Sequence, residues 1–173
     1  SGRGSSEGSG WYLMVRGLVK YYLMVLFLCV ELPSLGAQEV AAPDFRGTDL
    51  AGHVHRLQQY RGKPLVLYFW ATWCPACREE VEKMSELYRE FSDKDVQFIS
   101  VSLDKDEALL KKFVREKSIP YPVLFEGKGW QSDMVSDYSV NATPAYVLIS
   151  AVGHIVSSGN WTADLAQELA QIV

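Results

Sequence analysis

The stretch that decides the fold is Trp70-Ala-Thr-Trp-Cys74-Pro-Ala-Cys77-Arg-Glu-Glu80, because it joins two segments of different hydrophobic period. The preceding residues, Pro64 to Trp70, form a continuous apolar run, which is typical of a central strand covered on both faces. Residues 76–91 then place apolar side chains at helical spacing: Cys77, Val81, Met84, Leu87, Tyr88 and Phe91. The stretch is therefore predicted to be the turn from a buried strand into an amphipathic helix.

Two cysteines at the start of this predicted helix indicate redox chemistry. Pro75 suits the first helical position, where a missing N–H costs nothing, and this makes Cys74 the N-cap residue. The free N–H groups and the positive end of the helix dipole then lower the pKa of its thiol below the usual value of about 8.5. Cys74 is the predicted nucleophile. Cys77, one turn further on the buried face, is predicted to resolve a mixed disulfide.

The cysteine pair could also form a structural disulfide or bind zinc. A structural disulfide across two intervening residues at a helix start is uncommon, and it would leave the strand-to-helix context unexplained. A zinc site needs four ligands, but the chain has no second CxxC and its other candidates are His53, His55 and His154. We therefore expect no metal and no cofactor, and we expect no catalytic role for the two hairpin histidines.

The composition of the chain excludes several classes of protein. Its 173 residues suit one domain with an appendage, and its net charge of -4 gives no basic surface for nucleic acid. Three cysteines are too few to hold a disulfide-stapled miniprotein together, so stability must come from a hydrophobic core.

The appendage lies at the N-terminal end. Ten apolar or aromatic residues, Tyr21 to Val30, follow a positive stretch and precede small residues, which is the pattern of a secretory signal peptide. We expect residues 14–37 to be a signal peptide, cleaved between Ser34 and Ala37, or else an uncleaved signal anchor or a core helix. Residues 1–13 are expected to be a tag or a non-native leader. Residues 38–173 then form the folded domain.

The domain alternates between strand and helix patterns, which predicts an α/β sandwich around a mixed sheet. Leu109, Leu110, Phe113 and Val114 are expected to face inward from the second helix, and Thr162 to be the N-cap of the last. After a hairpin near Phe45 and residues 54–57, the predicted elements are the strand ending at Trp70, the helix 76–91, a strand 96–103, a helix 106–117, a strand near 119–125, a short helix 132–138, strands 145–150 and 154–158, and a final helix.

Two motifs together resemble a known family. Phe69-Trp-Ala-Thr-Trp-Cys-Pro-Ala-Cys77 and Ala142-Thr-Pro144-Ala are similar to the exported TlpA/ResA/DsbE (CcmG) branch of thioredoxin-fold proteins, over about residues 40–173. The resemblance implies a thioredoxin-like fold, a central mixed β-sheet flanked by helices, with an N-terminal β-hairpin. It also implies a cis Thr143–Pro144 bond beside the CxxC, where the backbone accepts an extended substrate segment. Trp73 and Pro75 would complete the substrate-binding surface, although Trp73 could equally be a packing residue.

Glu80 is the second position that the resemblance marks. ResA-like proteins carry an acidic residue there, one helical turn from Cys77. A carboxylate desolvated beside the apolar stripe would have a raised pKa and could shuttle a proton to or from the cysteine pair. The alternative is a solvated glutamate in an acidic patch, in which Glu79 pairs with Lys83.

The sequence also departs from related thioredoxin-fold proteins at positions that bear on the direction of electron flow. Cytosolic thioredoxins have a buried aspartate six residues before the first cysteine, where this chain has Tyr68. The dipeptide Pro75-Ala76 is similar to that of DsbE proteins and also to that of the oxidant DsbA. Potentials in the superfamily range from about -270 to about -120 mV. Glu80 and the lack of room for a DsbA-type helical insertion favour a reductant.

The expected function is an exported thiol-disulfide oxidoreductase of the periplasm or the extracytoplasmic face of a bacterial membrane. Its partners would be a disulfide-containing protein, such as apocytochrome c, and a membrane electron donor of the DsbD/CcdA type. It would contact the membrane itself only through an uncleaved anchor. The alternatives are a disulfide-forming oxidase, a thiol peroxidase, or a binding or chaperone module without turnover. A peroxidase is disfavoured because Ala71 stands where peroxiredoxins have Thr or Ser, three residues before the cysteine.

Overall fold

A six-stranded mixed sheet forms the centre of the computed structural model, which describes residues 40–172. The strands are β1 (Val40–Ala41), β2 (Arg46–Thr48), β3 (Val54–Arg56), β4 (Leu65–Trp70), β5 (Gln97–Ser102), β6 (Val123–Phe125), β7 (Ala145–Ile149) and β8 (His154–Gly159). The helices are α1 (Pro75–Phe91), α2 (Glu107–Glu116), α3 (Asp133–Asp137) and α4 (Thr162–Ile172). The predicted leader and signal segment, residues 1–37, lie outside the described residues.

The order of strands in the sheet is β1-β8-β7-β4-β5-β6. Strand β4 lies at the centre and pairs parallel with β5 and antiparallel with β7. The parallel pairs β4–β5 and β5–β6 are each joined through a helix, as a crossover requires, whereas β7 and β8 are joined by a tight turn. The predicted mixed sheet flanked by helices is confirmed.

Helices lie on both faces of the sheet. Neighbouring residues of β4 point to opposite faces, and each contacts a side chain from a different helical segment. Trp70 contacts Phe113 of α2, and the next residue back, Phe69, contacts Tyr138 after α3. All six residues of β4 are buried, as predicted for a strand covered on both sides. Within residues 40–172, no helix is long and apolar enough to cross a membrane.

The second helix differs from its predicted packing at one position. Leu110 and Phe113 are buried as expected, and Val114 is half-buried. The prediction for Leu109 was wrong, because its side chain is 61% exposed. The next residue, Leu110, is fully buried, so the first turn of α2 already contacts the core and Leu109 lies on its solvent side.

The predicted hairpin is a separate two-stranded sheet, β2–β3, with Arg46 opposite Arg56. Asp49 holds its turn, since the carboxylate accepts hydrogen bonds from the N–H groups of Ala51 and His53 at 2.9 Å. The rings of His53 and His55 also contact this carboxylate. Burial opposes ionisation of Asp49, but these bonds outweigh it and lower the pKa to about 2. Both histidines therefore have a structural use in the hairpin.

The hairpin packs closely against the edge strand β6. The N–H of Leu50 donates a hydrogen bond to the carbonyl oxygen of Val123 at 3.1 Å, and Asp49 forms an isolated antiparallel β-bridge with Leu124. A Cβ atom at Gly47 would lie 2.7 Å from Leu124 Cδ1, so a side chain at position 47 would force the hairpin or the buried Leu124 side chain to move.

Replacing Gly47 with alanine should therefore separate the hairpin from β6. We expect Gly47→Ala to lower the free energy of unfolding by about 1–2 kcal/mol, the usual effect of overpacking. Thr48→Ala, at the exposed next position, is the matched control and should change it by less than about 0.5 kcal/mol. Urea denaturation of both variants measures this. Equal effects would show that the hairpin has room to move.

Candidate active site

The CxxC lies at the turn from β4 into α1, as predicted. Cys74 is the N-cap residue and Pro75 is the first residue of the helix. The sulfur of Cys74 accepts a hydrogen bond from the N–H of Cys77 at 3.2 Å. Cys77 is fully buried, whereas Cys74 retains 6% exposure. The two cysteines form a disulfide, so the structure shows the oxidised state of the pair, in which Cys74 is the sulfur nearer to solvent.

The loop before β7 lies against this disulfide. The Thr143–Pro144 peptide bond is cis, which confirms that prediction. The carbonyl oxygen of Thr143 is 3.6 Å from the sulfur of Cys74 although the two residues are 69 positions apart. Thr143 is half-buried and Pro144 is buried. A chain segment joined to Cys74 would thus lie directly beside the backbone of Thr143.

Asn160 anchors the cis-proline loop, a role that no sequence pattern indicated. Its side-chain amide donates to the carbonyl oxygen of Pro144 at 2.7 Å. Asn160 follows β8, so the contact depends on the antiparallel pairing that brings the end of β8 beside the start of β7. This bond leaves Thr143, rather than Pro144, as the carbonyl turned to the cysteine pair.

Glu80 is buried, but its environment differs from the predicted one. Its carboxylate accepts hydrogen bonds from Thr162 N–H at 2.9 Å, from the Thr162 hydroxyl at 2.6 Å and from Lys83 Nζ at 2.6 Å. Burial alone would raise its pKa, but the bonds from Lys83 and Thr162 outweigh burial and hold the pKa of Glu80 below its ordinary value. The prediction of a raised pKa was wrong. The expected pairing of Lys83 with Glu79 is replaced by the bond to Glu80.

The same contacts correct the assignment of Thr162. Helix α4 begins at Thr162 itself, and the hydroxyl donates to Glu80 instead of capping its own helix. The first N–H of α4 is thereby capped by a carboxylate from α1. An anion at this position is favourable because it faces the positive end of the α4 dipole. Glu80 thus ties the second turn of α1 to the first turn of α4.

Asp104 fixes the backbone just before the cysteines. This buried carboxylate follows β5 and accepts from Thr72 N–H at 3.0 Å, from the Thr72 hydroxyl at 2.6 Å and from the Ser102 hydroxyl at 2.8 Å. The carboxyl ends of parallel strands meet at one edge of a sheet, so the position of Asp104 after a buried strand was the signal that could have found it.

Trp73 and Pro75, the two neighbours of Cys74, are both exposed. Trp73 keeps 54% of its surface accessible, so it is not a core residue. The structure therefore brings five of the predicted positions to one surface: Trp73, Cys74, Pro75, Thr143 and Pro144. Cys77 and Glu80 lie behind that surface.

Tyr68 occupies the position where cytosolic thioredoxins have their buried aspartate. Its hydroxyl is buried and has no hydrogen-bond partner among residues 40–172. Burial, with smaller contributions from Tyr121 and Glu80, raises its pKa far above the ordinary value of 10, so this side chain stays neutral at physiological pH. Among the same residues, no group of three or more His, Cys, Asp and Glu side chains could hold a metal ion.

The chain matches known sequences along most of its length. Residues 39–158 match the AhpC/TSA family. The thiol-disulfide oxidoreductase ResA of Geobacillus kaustophilus is 34% identical over 134 residues, which cover 76% of this chain and 75% of the relative. ResA of Bacillus thuringiensis subsp. konkukian is 32% identical over 129 residues and 73% of each chain.

Solved structures show the same architecture. The thioredoxin domain of a thiol-disulfide oxidoreductase from Bacteroides vulgatus has a TM-score of 0.72 at 28% identity, over 79% of this chain and 98% of that one. A secreted disulfide oxidoreductase of Mycobacterium tuberculosis, described as homologous to E. coli DsbE, has a TM-score of 0.64 at 26% identity, over 73% and 95% of the chains.

Removing the charge of Glu80 should destabilise the oxidised protein in a pH-dependent way. We expect Glu80→Gln to lower the free energy of unfolding by about 1–2 kcal/mol at pH 7, since charge-assisted bonds to α4 and Lys83 are lost. Because the pKa of Glu80 is lower in the folded state, the unfolded chain binds the extra proton below the ordinary value of 4.5. The contribution is complete above that pH and is lost as pH falls through the folded pKa.

The difference between the wild type and Glu80→Gln should therefore narrow between pH 7 and pH 3, measured by denaturant unfolding at fixed pH. Glu79→Gln is the control, because Glu79 is exposed and forms no ion pair within the described range. A difference that stays constant over this range would contradict the assigned pKa.

Proposed function

Because the chain belongs to the AhpC/TSA family and is a thiol-disulfide oxidoreductase of the ResA and DsbE type, we propose that it is an exported reductant of protein disulfides that works through Cys74 and Cys77. The observation that carries the proposal is the position of Cys74. Its sulfur accepts a hydrogen bond from the N–H of Cys77 at the start of a helix and lies 3.6 Å from the carbonyl oxygen of Thr143 in the cis-proline loop. A reactive atom and a backbone surface for an extended substrate are thus side by side.

The reaction begins with the reduced pair. The Cys74 thiolate attacks one sulfur of a substrate disulfide, the substrate S–S bond breaks, and the second substrate sulfur leaves as a thiolate that takes a proton. The N–H of Cys77 and the helix dipole stabilise the attacking thiolate. Thr143 holds the substrate segment beside it, and Trp73 and Pro75 form the accessible rim.

Cys77 then completes the transfer. It loses its proton and attacks the Cys74 sulfur of the mixed disulfide, which breaks the bond to the first substrate sulfur and releases it as a thiolate that is protonated in turn. The substrate has gained two electrons and two protons, and the enzyme holds the Cys74–Cys77 disulfide seen in the structure. A dithiol donor must return the two electrons. Glu80 remains our proposed acceptor of the proton from Cys77, although the bonds from Lys83 and Thr162 that lower its pKa make its carboxylate a weaker base than the sequence predicted.

The direction of electron flow is the finer part of the proposal. Support comes from the acidic residue at position 80 and from the short connections of the described domain, in which β4 and β5 are linked by α1 and one 3-10 turn, Ser92–Lys94. A disulfide-forming oxidase would use the same cysteines in reverse.

We also propose export to the extracytoplasmic side of a bacterial membrane. Residues 14–37 carry the signal-peptide pattern, and the similar protein of M. tuberculosis is described as secreted. A protein disulfide is the proposed substrate, with apocytochrome c as one example, and a membrane dithiol protein of the DsbD/CcdA type is the proposed donor.

Replacing each cysteine separately tests the two roles. Cys77→Ser should accumulate a mixed disulfide when the reduced variant is mixed with a disulfide-containing protein such as insulin, because nothing remains to resolve it. Cys74→Ser is the matched control and should trap far less, since Cys77 is fully buried. Non-reducing mass spectrometry counts the adducts. Equal trapping by both variants would contradict the assignment of Cys74 as the nucleophile.

The equilibrium potential of the pair decides the direction. We expect the Cys74/Cys77 couple, titrated against glutathione, to fall toward the reducing end of the range from about -270 to about -120 mV. The fraction of reduced protein at each ratio can be read from alkylation with a mass label. A value near -120 mV would contradict the reductant function and favour a disulfide-forming oxidase.

A further inference from the structure

An apolar cleft lies on the surface beside the CxxC turn. It has a volume of about 380 Å³ and runs between the CxxC turn, the start of α2 and the 3-10 turn Gly129–Gln131. Three of its lining residues are large and accessible: Trp73 is 54% exposed, Leu109 61% and Trp130 41%. Contiguous exposed apolar surface of this kind marks a binding site more often than it occurs by accident.

The backbone that carries these side chains is fixed. The bonds from Thr72 to Asp104 hold the segment before Trp73. Asp106 caps α2 by accepting from the N–H of Leu109 at 3.0 Å. Gly129, which has a φ of 58°, allows the turn of Trp130 to approach Leu103, because a Cβ there would lie 3.4 Å from the Leu103 carbonyl in a conformation that favours glycine. The three walls are therefore preformed.

The rim of the cleft carries charges of both signs. Lys105 is exposed, and the carboxylates of its two chain neighbours, Asp104 and Asp106, line the same cleft. The hydrogen bonds to these carboxylates come from neutral N–H and hydroxyl groups, which do not cancel a negative charge. The rim therefore does not select an anionic ligand, and recognition depends on the apolar walls.

The cleft is continuous with the reacting sulfur through Trp73, the residue before Cys74. An extended segment advances about 3.3–3.6 Å per residue, so the neighbours of a substrate cysteine joined to Cys74 reach the cleft within one or two residues. We propose that the cleft is a specificity site, which binds a large apolar side chain of the protein substrate close to its reacting cysteine. This inference rests on the proposed oxidoreductase function.

Two synthetic peptides test it, each with one internal disulfide. One carries phenylalanine two residues from a cysteine and the other carries serine there. The reduced full chain should act on the phenylalanine peptide with a kcat/KM about tenfold higher, as burial of one aromatic side chain would give. In Leu109→Ala and in Trp130→Ala this ratio should fall to about twofold or less. Because the ratio is internal to each variant, a general loss of folding does not change it.

Val152→Ala is the matched control for Leu109→Ala, since Val152 is 64% exposed but lies in the turn between β7 and β8. It should keep the wild-type ratio.

The outcomes separate this inference from the function on which it rests. If the wild type reduces neither peptide, the proposed function fails. If it reduces both with equal kcat/KM, or if the ratio survives in both cleft variants, the specificity site is overturned while the function stands. The remaining alternative is that a second copy of the chain occupies the cleft, and analytical sedimentation tests it. If the wild type is a dimer, and Leu109→Ala dissociates this dimer without changing the kcat/KM ratio, the cleft is a dimer interface and the specificity site is overturned.

Discussion

The sulfur of Cys74 accepts the N–H of Cys77 at the point where the buried strand β4 becomes helix α1, and the remainder of the site is arranged around this contact. It caps a helix with an atom that can also exchange electrons. Since β4 is covered on both faces, the strand cannot shift without breaking the core. The reactive sulfur is therefore held at the carboxyl edge of the sheet, where the ends of the neighbouring strands contribute the other groups.

Three distant segments converge on that edge, each through a polar bond to a buried or half-buried partner. Asp104 from the end of β5 holds the backbone before Cys74, Asn160 holds the cis-proline loop, and Thr162 binds Glu80. Asn160 and Thr162 are two residues apart, so one short connection after β8 fixes both the cis-proline loop and the second turn of α1. This arrangement couples the cis-proline loop to the helix that carries the cysteines.

The sequence predicted the local elements well because their causes are local. Alternation and helical spacing of apolar residues located nearly every strand and helix, and Pro75 after Cys74 located the start of α1. The errors have a common origin. The exposure of Leu109 and the low pKa of Glu80 both depend on which residues lie opposite, and these come from other parts of the chain.

The sequence by itself determined the fold class, the capped CxxC turn and, through resemblance, the cis-proline loop, since each is encoded within a few adjacent residues. Only the tertiary structure decided how Glu80 is used. A buried carboxylate can have a raised or a lowered pKa, and the outcome depends on the donors that reach it. Here Thr162, 82 residues away, provides two of the three, and no pattern near Glu80 contains that information.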